Sequence, residues 1–296
     1  MEKQAFAANH WTMGELNALL KNIGEENAKM IQRGRHFQIV FENNNTELFD
    51  QSGRRIANNL FFKTVDTNKH FCLDNPFVKN IEDYKYRLSL TNIKDNNVTP
   101  EWFKAETERQ IAMIAKDDNI SNILKDIYLP IVFKMDNCDV DLFIKNGLYN
   151  VEKQYKNFFK NRVFSNYIRY YDSNKITIAK DSRCYEFMYK AKQKYIVAII
   201  FPRTLQGFSV NASREQLIDI TYKFSLSGPE IINAAIMYPD ILLSNWLTSG
   251  IIMAGVDYKN NQCSLGIKAY DDIVGIDIIS NIEAYNIYSP ALTFSA

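Results

Sequence analysis

The sequence predicts a mainly β, α+β chain: an antiparallel β barrel or sandwich flanked by one long helix and followed by a C-terminal extension. Three observations predict it. Between residues 167 and 225 the apolar residues mostly alternate with period two, as half-buried strands require. Val140–Phe159 instead places its apolar residues at steps of three and four. After Gly228 the pattern changes to nearly continuous apolar runs.

In chain order, Met13–Met30 reads as a helix with Leu16, Leu19, Leu20 and Ile23 on one face. His36–Phe41 reads as a strand, with Phe37, Ile39 and Phe41 sharing a side. Leu60–Val65 and Tyr84–Leu90 are further strands, the second alternating Tyr84, Tyr86, Leu88 and Leu90 against Lys85, Arg87 and Ser89. Thr99–Ala115 is a helix with Thr99 as N-cap and Pro100 at its first position; its charges suggest a solvated insertion over residues 92–127. Tyr128–Met135 is a strand. The 140–159 helix, capped by Asp139 or Asp141, carries Val140, Phe143, Ile144, Leu148, Val151, Tyr155, Phe158 and Phe159, a stripe suited to lying across a sheet.

Tyr167–Tyr171 and Lys175–Ala179 then read as strands around a turn at 172–174, followed by strands at Cys184–Ala191 and Gln193–Phe201. Leu205–Val210 and Leu217–Ser225 read as a hairpin whose turn is the polar run Asn211–Glu215. Beyond Gly228, Glu230–Met237 and Ile241–Gly250 read as a helix broken at Pro239, and Ile273–Ile279 and Ala284–Tyr288 as short strands. The expected division is therefore a body of residues 1–228 and a docking extension of residues 229–296.

Composition narrows the function. The 296 residues are 46% hydrophobic, enough for a large core without disulfides or metals. The net charge of +1 gives no bulk field for a polyanion. Residues 226–296 hold seven acidic side chains against two lysines, a net −5 that leaves +6 on residues 1–225. Complementary halves of that kind suit self-assembly. Cys72, Cys138, Cys184 and Cys263 are far apart with no CxxC, so reduced thiols are expected. The N-terminus shows no apolar signal region, and Ile231–Val256, the most apolar stretch, is interrupted by Asn233, Pro239, Asp240, Ser244 and Asn245, too polar for a membrane span.

Four groupings could carry chemistry, and each has a plainer reading. His70 and Cys72 lack further ligands, the other histidines being His10 and His36. Asp271, Asp272 and Asp277 read as a solvated turn, because adjacent residues on a strand point to opposite faces. Tyr167, Tyr170 and Tyr171 beside Arg162, Arg169 and Lys175 could stack nucleic-acid bases, but suit a strand edge or subunit interface as well. The 140–159 stripe reads as core and not as a ligand groove. No phosphate-loop, dinucleotide or nucleophile-elbow motif occurs. No catalytic, cofactor-binding or metal-ligating residue is therefore expected. The runner-up is a β-rich ligand-binding or enzymatic domain, which a convergent polar pocket would favour. A nucleic-acid-binding module, with salt-dependent affinity, is a third class.

Three stretches resemble the tail-tube family of contractile-tailed bacteriophages, whose fold is shared with the type VI secretion tube. Ile31–Phe41, Ile-Gln-Arg-Gly-Arg-His-Phe-Gln-Ile-Val-Phe, is similar to that family's Arg-x-x-x-Phe-x-Val entry into the first strand, with Ile39 at the Val position. Leu129–Asp136 followed by the 140–159 helix resembles its strand, acidic turn, helix unit. Ile200–Phe224 resembles its closing hairpin. The resemblance covers about residues 13–225. It implies a tail-tube fold and a non-enzymatic virion protein, forming a hexameric ring of the inner tube or of its baseplate-proximal initiator. It also implies adjacent rings, sheath and baseplate hub proteins as partners, and transient non-specific contact with genomic DNA in the lumen. The implied location is the virion tail, reached from the host cytoplasm during assembly, without membrane contact. The extension beyond the last strand is similar to the additions carried by tube initiators.

Overall fold

Residues 129–133 and 196–201, two short apolar runs, are β1 (Leu129–Phe133) and β4 (Ile196–Phe201), and they pair antiparallel with Ile131 opposite Ala198. The structure is a computed structural model. It describes residues 47–57, 61–65, 80–135, 139–170, 175–244, 248–270 and 272–296. The expected helix at 13–30, the strand at 36–41 and the first tail-tube-like stretch lie outside the described residues. Residues 46–296 form one compact unit.

Two sheets organise this unit. The first runs β1–β4–β10–β5, with β5 at Phe224–Leu226 and β10 at Leu292–Phe294, all neighbours antiparallel. The second runs β2–β8–β7–β6–β3: β2 is Val163–Asn166, β3 Thr177–Ile178, β6 Gly250–Tyr258, β7 Cys263–Tyr270 and β8 Ile273–Ser280. β6 to β8 form a meander. Its β6–β7 turn holds Lys259, Asn260 and Asn261 at positive φ, a conformation asparagine tolerates better than most residues. β2 joins β8 in parallel, and β9 (Tyr288–Pro290) joins the start of β6 in parallel. The chain is thus α+β with antiparallel and mixed pairing. Seven α-helices and ten strands occur among the described residues, and neither sheet closes into a barrel there.

The C-terminal residues are the hinge of the architecture. After β9 in the second sheet, one residue, Ala291, leads into β10 in the first. The Ser227 amide donates to the Ala291 carbonyl at 2.9 Å, and the Gly255 amide donates to the Ser227 carbonyl at 2.8 Å. Gly255 must be glycine for the sheets to approach. A Cβ there would lie 2.6 Å from the Leu226 carbonyl oxygen and 3.0 Å from Cys184 Cβ. The expected boundary at Gly228 is therefore corrected. Residues 229–296 supply an inner strand of the first sheet and most of the second, because their apolar runs are buried by the rest of the chain.

Helices cover these sheets. They are α1 (Ile81–Ser89), α2 (Pro100–Ala115), α3 (Val140–Phe158), α4 (Cys184–Gln193), α5 (Val210–Gln216), α6 (Glu230–Met237) and α7 (Pro239–Leu242). α2 begins where its N-cap and proline placed it, with the Thr99 hydroxyl accepting from the Trp102 amide. It is no solvated insertion. Phe103, Thr107, Gln110 and Ile114 are buried, and Gln110 Nε2 donates to the Val197 carbonyl on β4 at 2.8 Å. α3 is capped by Asp139 and buries Val140, Ile144, Leu148, Val151 and Tyr155. It packs on α6, β2 and β3, while α6 packs on β1.

Two expected strands are helices, and so is one expected turn. Residues 84–89 belong to α1, whose first turn is capped by Asn80, and 184–191 to α4, which buries Cys184, Phe187, Met188 and Ala191. In the supposed 205–225 hairpin the polar run 211–215 lies in α5, capped by Ser209, and the strand is the three residues of β5. β4 and β5 are not neighbours, since β10 lies between them. Residues 167–170 form a 3₁₀ turn. The second half of the expected broken helix gives way to β6 at Gly250. Among the described residues, no helix is long and apolar enough to cross a membrane.

Candidate functional site

The amphipathicity of α3 creates the main concave surface. With one face of α3 in the core, the residues about a quarter-turn away stand at its edge. There the sequence places Asn146, Asn150 and Gln154 at steps of four, and Asn157 three residues on. The opposite wall is α6. Gly147 lets the two helices approach: a Cβ there would lie 2.5 Å from Ile232 Cγ2. On α6, Asn233 and Ile236 stay half-exposed, and Asn233 Nδ2 donates to the Val132 carbonyl at 3.0 Å. Tyr238 donates its hydroxyl to the Pro130 carbonyl at 2.6 Å, so side chains satisfy two carbonyls of β1.

The rim is the Leu90–Ile93 segment after α1. Arg87 fixes it by donating to both Asp240 oxygens, at 2.5 and 2.9 Å, and to the Met237 carbonyl at 2.9 Å. Its guanidinium also lies 4.4 Å from the Tyr238 ring centroid. Phe143 closes the floor, edge-on to Phe133 at 5.7 Å. At the far end the Lys134 ammonium sits 5.2 Å from the Tyr195 ring centroid. The resulting groove has a volume of about 660 Å³. Its charged lining residues are Lys134 and Lys153, and no carboxylate lines it among the described residues. The groove can hydrogen-bond and attract an anion. Among the described residues its lining brings together no acid, base or nucleophile pair.

A second polar cluster is enclosed in the core. Glu230, at the start of α6, is fully buried and accepts from the Thr293 hydroxyl at 2.6 Å. That hydroxyl is 2.7 Å from the Ser227 hydroxyl. Burial pushes the Glu230 carboxyl up to about 7, against the opposing pull of the Thr293 hydrogen bond. Its second oxygen makes no hydrogen bond of ordinary length and angle among the described residues. Burial, with the nearby Glu230 charge, also raises the Cys184 thiol well above its ordinary value, which disfavours the reactive thiolate.

The groupings weighed from the sequence do not converge. His70 and Cys72 lie outside the described residues, as do Asp271 and Tyr171. Asp272 sits exposed in the turn before β8, while Asp277 is half-buried in β8 and accepts from the Tyr288 hydroxyl. Arg162 stacks on Phe159 at 4.5 Å, and Tyr167 is exposed. The helix stripe is core for five residues. Phe158 is exposed, and Phe143 faces the groove. The sequence signal for the groove was present in the amide spacing along 146–157. What was absent was any sign that α6, far along the chain, supplies the other wall. No protein-family model matches the chain, and neither does any curated protein or solved structure.

Proposed function

We propose that the chain is a non-catalytic building block of a phage-type contractile tail, six copies of which make a ring of the inner tube or of its baseplate-proximal initiator. The observation that carries this reading is the unit from Leu129 to Phe158. A buried strand, Leu129–Phe133, is followed along the chain by Asp139, which caps a long amphipathic helix, accepting from the Leu142 amide at 3.1 Å. That order resembles the strand, turn and helix unit of tail-tube proteins, one of the three stretches that together carry the resemblance. The Ile200–Phe224 stretch departs from it, since a helix replaces the hairpin.

Open sheets support a ring. Among the described residues β2 has one strand neighbour, and Val163 on it is 56% exposed. Tyr167, 48% exposed, follows it directly in the chain. An exposed edge with an aromatic neighbour is a ready pairing surface, and a closed ring hides it without a free end. The body then works by shape. The ring encloses a channel for DNA, and sheath, hub and adjacent rings contact its outer and axial faces. Passage requires little affinity for phosphate, in keeping with a net charge of +1. Sedimentation velocity over a range of concentrations tests this, with sheath or hub proteins added where the chain alone stays small. A species of six chains is expected, and a strict monomer under every condition contradicts it.

A further inference from the structure

We propose that the groove between α3, α6 and the Leu90–Ile93 segment binds an acidic saccharide, a chain of hydroxyl-rich rings bearing carboxylates. This goes beyond the assembly role and does not depend on it.

The chemistry of the lining selects the ligand. Each amide offers two donors and one acceptor, which matches the mixed donor and acceptor character of neighbouring hydroxyls. Asn146, Asn150, Gln154 and Asn157 make no side-chain hydrogen bonds among the described residues, so their capacity is available. On successive turns these side chains stand about 5–6 Å apart at Cβ, a regular ladder suited to a repeating polyol. Asn92 faces them from the rim. Ile232, Ile236 and Phe143 give the floor an apolar strip for the C–H face of a sugar ring.

Charge sets the sign. Lys153, exposed at the edge of α3, is a lining cation, and with no carboxylate among the described lining residues that lining favours an anion over a metal cation. Lysine provides a point charge that a single carboxylate satisfies. A nucleic-acid strand fits less well. Strand binders stack bases on open aromatic faces. Here the Lys134 ammonium lies over Tyr195, and Phe143 is packed edge-on to Phe133. The volume of about 660 Å³ lies inside the range of small-ligand sites, roughly 300–1,000 Å³, and suits two or three sugar rings of a longer chain.

Calorimetric titration of the full chain tests the proposal with three probes: trigalacturonate, maltotriose as its uncharged counterpart, and a short oligothymidylate. Trigalacturonate is expected to bind, and maltotriose to bind about tenfold more weakly or less, the scale of one charge-assisted contact. Asn150→Asp with Lys153→Glu, both at exposed positions, should weaken trigalacturonate binding by about tenfold or more at an unchanged melting temperature. Lys192→Glu, outside the groove, should leave it unchanged. The proposal is overturned by absence of trigalacturonate binding, by equal binding of maltotriose, by binding that survives the double substitution, or by preference for the oligothymidylate. None of these outcomes alters the sedimentation result, so the groove and the ring stand or fall separately.

Discussion

A chain truncated after Gly228 is expected not to fold. The truncation removes β10, which lies between β4 and β5, and so leaves the first sheet in two pieces. It removes β6, β7 and β8, leaving β2 and β3 without strand neighbours. It also removes α6, which packs between α3 and β1. Leu292, Phe294, Ile231, Ile252, Leu265 and Ile276 are each 3% exposed or less. Each contributes about 1.5–3 kcal/mol through burial, so these six side chains alone match the whole net stability of an ordinary domain, about 5–15 kcal/mol. Circular dichroism and limited proteolysis would read the outcome. A cooperatively melting, protease-resistant body of residues 1–228 would mean that the C-terminal segment is an appendage. A milder version keeps the full chain: Phe294→Ala removes a ring 5.0 Å from Phe224 and should cost about 3–5 kcal/mol.

Glu230→Gln is expected to stabilise the protein above neutral pH and to flatten its pH dependence. The folded carboxyl titrates at about 7, above its ordinary 4.5. Between those values the folded chain holds a proton that the unfolded chain has released. Stability therefore falls as pH rises from about 4.5 to about 7, and the loss persists above that. At about 1.4 kcal/mol per pH unit, the interval corresponds to about 3 kcal/mol. Glutamine has nearly the same shape, can still accept from Thr293, and carries no charge to bury. The difference in unfolding free energy between variant and native chain, from urea titrations at pH 5 and pH 8, isolates this group. A variant gain that is larger at pH 8 agrees with a buried, protonated Glu230. A gain independent of pH, or a uniform loss, contradicts it.

Parts of this architecture were legible in the sequence for a physical reason. β1, α2, α3, β4 and β8 each satisfy one rule strongly: a continuous apolar run, a cap with a proline behind it, or an unbroken stripe at helical spacing. The misread segments satisfy two rules at once. In Tyr84–Leu90 the alternation is real, yet Tyr84, Arg87 and Leu88 also fall at helical steps, and the Asn80 cap decides for the helix. In Cys184–Ala191 the residues that end up buried are at i, i+3, i+4 and i+7, a helical set hidden by the tyrosines between them. Ser209 caps a helix where the polar run 211–215 suggested a turn. The C-terminal segment misled in a different way. All nine residues of β6 are buried, so it has no exposed face and no alternation. The apolar runs at 231–237 and 273–279 looked like docking material because their partners, α3, β1 and β2, are distant in sequence. The groove shares this origin: its amide ladder is local, and its second wall is not.

Negative-stain microscopy of the purified full-length protein tests the assembly proposal most directly. The proposal predicts closed rings with six-fold symmetry, or short tubes stacked from them, each with a stain-filled central channel. Fields of single compact particles without a channel, at concentrations where sedimentation finds no larger species and with sheath or hub proteins present, would contradict it.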